Sequence, residues 1–143
     1  MRYWDASAVV PLIVNEERSE TSATLLSEDG AVATWWGSRL ECLSALRRRE
    51  RDGGFSAADT AVSVRLLDEL SASWHELLPG GELRALAERA LSVHPLRAAD
   101  ALQLAAALTW RGPGARPAGF VCLDYRLREA AGREGFDLLP GTL

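Results

Sequence analysis

Four carboxylates stand where apolar runs give way to helical stretches, or just inside the start of such stretches. They are Asp5 in "MRYWDASAVV", Glu41 in "WWGSRLECLSALRRRE", Asp100 in "HPLRAADALQLAAAL" and Asp124 in "FVCLDYRLREAAGREGF". Asp5 and Asp124 share one arrangement: an apolar run, an acid, then an amphipathic segment. Asp100 is flanked by Ala99, Ala101 and Leu102, so its carboxylate needs a partner, because an unpaired buried charge is costly. Acids brought to one edge repel each other, and a hard divalent cation with oxygen ligands relieves that repulsion. The chemistry open to such a site is metal-assisted hydrolysis, in which carboxylate-held metal supplies a hydroxide-like nucleophile and charge relief in the transition state.

Each acid also has a local role open to it. Asp5 and Asp124 could cap the helices that follow them. Ser38-x-x-Glu41 reads as a capping box, and Asp100 could pair with Arg97 three residues earlier.

The elements that must position these acids alternate. Strands are predicted near Arg2–Asp5, Ala31–Trp35, Trp74–Leu78, Phe120–Leu123 and Asp137–Leu139. Helices are predicted near Ser7–Val14, Arg18–Ser27, Ser38–Glu50, Ala57–Ala72, Glu82–Leu91, Leu96–Trp110 and Tyr125–Arg133. "DGGFS" at Asp52–Ser56, "LPGGE" at Leu78–Glu82 and "GPGARPAG" at Gly112–Gly119 read as turns within one domain. This order implies an α/β fold, a parallel sheet with helices on both faces. Ligands of such sheets bind beyond the carboxyl ends of the strands, where strand order reverses. Asp5 sits at that kind of end.

Composition narrows the function classes. The 143 residues, 48% hydrophobic, suit one domain over 1–143 with a sizeable core. All sixteen basic residues are Arg, which excludes a Walker lysine, a Schiff-base lysine and the lysine of a receiver-type phosphoacceptor site. The formal charge of −4 argues against coating nucleic acid by bulk electrostatics, but not against an acidic pocket bridged to phosphate by metal. The longest apolar stretch, Ala8–Val14, is too short to span a bilayer, so no membrane partner is expected. Arg2 and Asp5 spoil a signal peptide, which predicts a cytoplasmic protein. Cys42 and Cys122 make neither a disulfide framework nor a zinc site and read as buried fillers.

The four segments "YWDASAVVPLIVNE", "RLECLSALRRRE", "LRAADALQLAAAL" and "FVCLDYRLREAAGREGFDLLP", in this order and spacing, resemble a PIN-domain ribonuclease of the VapC toxin type. The likeness spans essentially the whole chain, although residues 56–91 contribute little beyond length. It implies a PIN-like three-layer α/β/α fold with a central five-stranded parallel sheet. It also implies a Mg²⁺- or Mn²⁺-dependent endoribonuclease whose metal site is Asp5, Glu41, Asp100 and Asp124, with Ser7 as a neighbouring hydroxyl. Asp5 and Asp100 would be direct ligands, and Glu41 and Asp124 would act through water or on a second ion. The implied partners are an RNA substrate and a cognate VapB-type antitoxin, and a homodimer is expected. Two positions depart from the pattern: Gln103 stands where many relatives carry His, and Cys122 where Thr or Ser is common.

Two other readings compete. A haloacid-dehalogenase-like phosphatase also begins with a strand ending in Asp, but expects a second acid where Ser7 stands. A non-catalytic PIN-like module would use the acids only to bind a partner's basic side chain, and metal would be irrelevant to it. "RRRER" at Arg47–Arg51 could complement the carboxyl end of its helix or bind RNA. The five Trp residues are expected in core and interface, and His75 and His94 show no sequence partner for acid–base work.

Overall fold

The computed structural model describes residues 1–114 and 116–143; of the expected turn at Gly112–Gly119, Ala115 lies outside the described residues. The chain runs β1 (Arg2–Trp4), α1 (Ala6–Ile13), α2 (Ser19–Asp29), β2 (Val32–Trp35), α3 (Ser38–Arg51), α4 (Ala57–Ser71) and β3 (His75–Leu77). It continues through α5 (Gly81–Val93), α6 (Ala98–Arg111), β4 (Gly119–Val121), α7 (Tyr125–Arg133) and β5 (Asp137–Leu139). The strands form one sheet in the order β3-β2-β1-β4-β5, every neighbouring pair parallel. The central strand β1 pairs Tyr3 with Ala33 on one side and with Phe120 on the other.

Side-chain alternation along these short strands divides the core in two. Tyr3, Ala33 and Phe120 pack with Leu83 and Ala87 of α5, Leu104 and Ala105 of α6, and Leu127 of α7. Trp4, Val32 and Val121 pack with Val9 and Ile13 of α1, Leu25 of α2, Leu46 of α3 and Leu67 of α4. Helices therefore cover both faces, and the architecture is the expected three-layer α/β/α fold with a five-stranded parallel sheet. A central strand buried on both faces carries no polar alternation, which is why Tyr3 and Trp4 can both be fully buried.

The observed boundaries differ from the expected ones by a residue or two, with local causes. α6 begins at Ala98 rather than Leu96, because Pro95 holds His94 in an extended conformation and Arg97 is still extended as N-cap. α2 ends at Gly30, whose φ of 67° supplies the left-handed cap. The capping box expected at Ser38 and Glu41 does not form. Gly37 is the N-cap of α3, Ser38 is the first helical residue, and no side-chain cap bond is present. A complete capping box occurs instead at α4, where Ser56 and Asp59 exchange bonds of 2.9 and 3.1 Å. Trp4 and Trp35 are buried in the core, while Trp36 is 54% exposed. Among the described residues no helix is long and apolar enough to cross a membrane.

Candidate functional site

β1 lies between β2 and β4, so the chain leaves the sheet centre in one direction through β2 and β3 and in the other through β4 and β5. This is the point of strand-order reversal where α/β sheets open a crevice beyond their carboxyl ends. Asp5 is the first residue after β1, and its backbone N–H extends the β1–β4 ladder to the Val121 carbonyl at 2.9 Å. Its side chain caps α1 through the Ser7 N–H at 3.0 Å. The Ser7 hydroxyl also donates to Asp5 Oδ2, and the Cys122 thiol approaches the same oxygen at 3.5 Å. Among the described residues no protein donor reaches Oδ1. Capping and a second role are therefore not exclusive, because the cap uses one oxygen only.

Asp124 ends the β4–α7 connection in the same way, its Oδ1 accepting the Leu127 N–H at 2.9 Å. Ser7 joins the two connections: its Oγ accepts the Leu123 N–H at 2.9 Å. Cys122, fully buried as expected, is more than a filler, because its sulfur also accepts the Asp124 N–H at 3.4 Å.

Glu41 reaches the same edge from α3. Gln103 Nε2 donates to Glu41 Oε1 at 3.1 Å and to Ser38 Oγ at 2.9 Å, while Gln103 Oε1 accepts the Tyr3 hydroxyl at 2.6 Å. Thr34 Oγ1 lies 2.7 Å from both Ser38 Oγ and the Trp4 carbonyl oxygen. A hydroxyl has one proton and a carbonyl only accepts, so Thr34 donates to Trp4 and Ser38 donates to Thr34. One buried chain, Gln103 to Ser38 to Thr34 to Trp4, thus explains why Ser38 does not cap its helix. Asp100, on α6 with Gln103, accepts the Arg97 N–H at 3.2 Å.

Electrostatics tie the four acids together. Burial pushes Glu41 up to about 7, and the charges of Asp5 and Asp100 push in the same direction. Burial raises Asp5, opposed by its bonds from Ser7 and Cys122 and reinforced by Asp124. Burial raises Asp100 against the Arg97 N–H bond, and Asp124 adds to the rise. The charges of Asp5 and Asp100 thus act on Glu41, and that of Asp124 acts on Asp5 and Asp100. All four sequence-predicted residues share one edge. Yet among the described residues no group of three or more His, Cys, Asp or Glu side chains is disposed to hold a metal ion ready-made.

The donor set is carboxylate and hydroxyl oxygen, which suits a hard cation. Mg²⁺ keeps several waters and binds proteins through one or two carboxylates, so the residues fit a largely hydrated ion rather than a closed cage.

No protein-family model matches the chain, and no curated protein matches it. Among solved structures it is similar to PAE2754 from Pyrobaculum aerophilum, with a TM-score of 0.69 at 19% identity over 97% of this chain and 90% of that one. At this identity the likeness concerns the fold.

Three features escaped the sequence reading. Gln103, noted only as a departure, connects Tyr3, Ser38 and Glu41. Arg128 is buried and donates to the carbonyls of Cys122, Leu139 and Pro140 at 2.9, 3.1 and 2.7 Å, pinning the ends of β4 and β5. His94 does have a partner: its Nε2 lies 2.8 Å from Glu134 Oε1, at the far end of α7 from Asp124. That pair is remote from the acids, and Arg89 shares the Glu134 carboxylate at 2.9 Å.

Proposed function

We propose that this chain is a Mg²⁺- or Mn²⁺-dependent endoribonuclease of the PIN-domain, VapC toxin type. The observation that carries the reading is the placement of Asp5 and Asp124 at the carboxyl ends of β1 and β4, bridged through Ser7 at the strand-order reversal, with Glu41 brought from α3 and Asp100 from the first turn of α6. Asp5 and Asp100 would hold the ion directly, with Glu41 and Asp124 acting through its water. When bound, the ion supplies an activated water and charge relief on phosphate. The chain's own residues set the stage for it. Ser7 fixes the Asp5 carboxylate so that Oδ1 stays open, Gln103 aims Glu41, and the Ser7–Leu123 bond keeps Asp124 in register with Asp5. The resemblance in sequence further supports a VapB-type antitoxin as partner, and a homodimer is proposed as the commonest closed symmetry.

One other reading uses the same four acids, a non-catalytic PIN-like module that binds a partner's basic side chain. The phosphatase reading has no second acid to work with, since Ser7 stands two residues after Asp5 where that acid is needed. The discriminating experiment is incubation of the purified protein, freed of any antitoxin, with a mixed RNA pool in Mg²⁺, Mn²⁺ or EDTA. Cleavage only with metal supports the enzyme, and an intact pool under all three conditions refutes it. Expression with and without the neighbouring small open reading frame tests the toxin assignment: growth arrest is expected only without the neighbour, and Asp5→Asn should abolish it.

A further inference from the structure

α3 carries Arg39, Arg47, Arg48, Arg49 and Arg51, and three of these guanidinium groups are spoken for. Arg39 pairs with Asp68 at 2.6 Å and Arg47 with Glu50 at 3.0 Å, and Arg49 pairs with Glu16 and lies over the Phe55 ring at 5.8 Å. Arg48 is exposed and, among the described residues, its side chain makes no hydrogen bond or ion pair. It lines a cavity of about 280 Å³ in which Ala6, Ser7 and Val10 of α1 face Glu41, Ser44 and Arg48 of α3. Glu41, Ser44 and Arg48 share one helix face at positions i, i+3 and i+7. Seven residues of helix separate Glu41 from Arg48 by about 10 Å along the axis. The cavity thus has a carboxylate of the acidic site at one end and an uncommitted guanidinium at the other.

Resting on the ribonuclease reading, we propose that Arg48 anchors the phosphate of a neighbouring nucleotide in the bound single-stranded RNA, one or two nucleotides from the bond cleaved. The acidic end repels phosphate unless a cation intervenes, whereas a guanidinium binds phosphate directly through paired N–H donors. The Ser44 hydroxyl, on the same face, offers a further donor between the two ends. Arg48 is thus a positioning residue that sets the path of the strand, and Arg47 and Arg49 serve the helix.

The test uses a labelled single-stranded RNA oligonucleotide, with binding read by fluorescence anisotropy in Mg²⁺ over a salt series. The Asp100→Asn background prevents turnover. Arg48→Ala should weaken binding about fivefold or more and lower the slope of log affinity against log salt by about 0.7, the loss of one single-strand phosphate contact. Arg48→Lys should keep the slope but recover only part of the affinity. Arg47→Ala should change neither. In the cleavage-competent protein, Arg48→Ala should raise KM and leave kcat within about twofold, the pattern of lost uniform binding. Unchanged affinity, slope and KM in Arg48→Ala, with wild-type cleavage intact, overturns the anchor and spares the ribonuclease. A wild type that binds RNA with an Arg48-dependent slope but never cleaves it overturns the ribonuclease and spares the anchor. No binding of RNA by the wild type overturns the anchor outright.

Discussion

Gln103 and Glu41, sixty-two positions apart, are joined by an Nε2–Oε1 hydrogen bond of 3.1 Å, and the same amide is held from behind by the Tyr3 hydroxyl at 2.6 Å. Gln103 is buried on α6 and Glu41 is half-buried on α3, so this bond crosses the top of the sheet. It is a neutral side-chain donor that reaches Glu41 from the helix layer opposite α3.

Replacing Gln103 therefore has two consequences. Gln103→Leu removes the donor to Glu41 and Ser38 and leaves the Tyr3 hydroxyl without an acceptor. A buried polar group left unpaired costs about 1–3 kcal/mol. Urea unfolding should show a lower midpoint with an unchanged slope. An unaltered midpoint would mean that the amide bonds are not formed in solution.

The charge of Asp5 is the next target. Asp5→Asn keeps a good helix cap, since Asn caps as well as Asp. Cleavage of RNA at saturating Mg²⁺ should fall by at least ~10²-fold, the scale of losing a transition-state charge stabiliser. In EDTA the melting temperature should stay level or rise, because one member of a repelling set has been neutralised. Near-wild-type cleavage would remove Asp5 from the site.

Glu41 gives the protein a pH signature. Its carboxyl is raised from 4.5 to about 7 in the folded chain, first by burial and then by Asp5 and Asp100. Between those values the folded state binds more protons than the unfolded state, so stability falls as pH rises. The contribution is complete below the unfolded value and is lost as pH passes through about 7. Thermal unfolding in EDTA from pH 5 to 8 should show this decline, and Glu41→Gln should flatten it. Superimposable profiles for the two proteins would disprove the burial of the Glu41 charge.

Arg128 tests the scaffold rather than the acidic site. Arg128→Met keeps most of the side-chain volume but removes the guanidinium bonds to the Cys122, Leu139 and Pro140 carbonyls at the ends of β4 and β5, of which, among the described residues, Leu139 alone keeps a second donor in the Cys122 N–H. A loss of about 2–4 kcal/mol is expected, read as a lower denaturation midpoint. A change within about 0.5 kcal/mol would mean that water satisfies those carbonyls equally well.

The sequence by itself determined the β/α alternation, the parallel sheet and the placement of Asp5 and Asp124 at strand ends. Those features rest on signals that act over a few residues: the apolar pairs Tyr3–Trp4 and Phe120–Val121, helical periodicity, and an acid one step before a helix. Local signals also misled where a longer-range bond was stronger. Ser38-x-x-Glu41 has the form of a capping box, yet Ser38 is buried against Thr34 and Gln103 and caps nothing. Only the tertiary structure decided that Gln103 lies beneath Glu41, that His94 meets Glu134, that Arg128 spans two strand ends, and that Arg48 faces the cavity while Arg47 and Arg49 are paired. Apart from the Arg47–Glu50 pair, these relationships depend on which strands become neighbours and how the helices cross above them. A hydrogen bond between residues a hundred positions apart, such as Tyr3 to Gln103, leaves no trace in any short window of sequence, because its geometry exists only once β1 and α6 have packed.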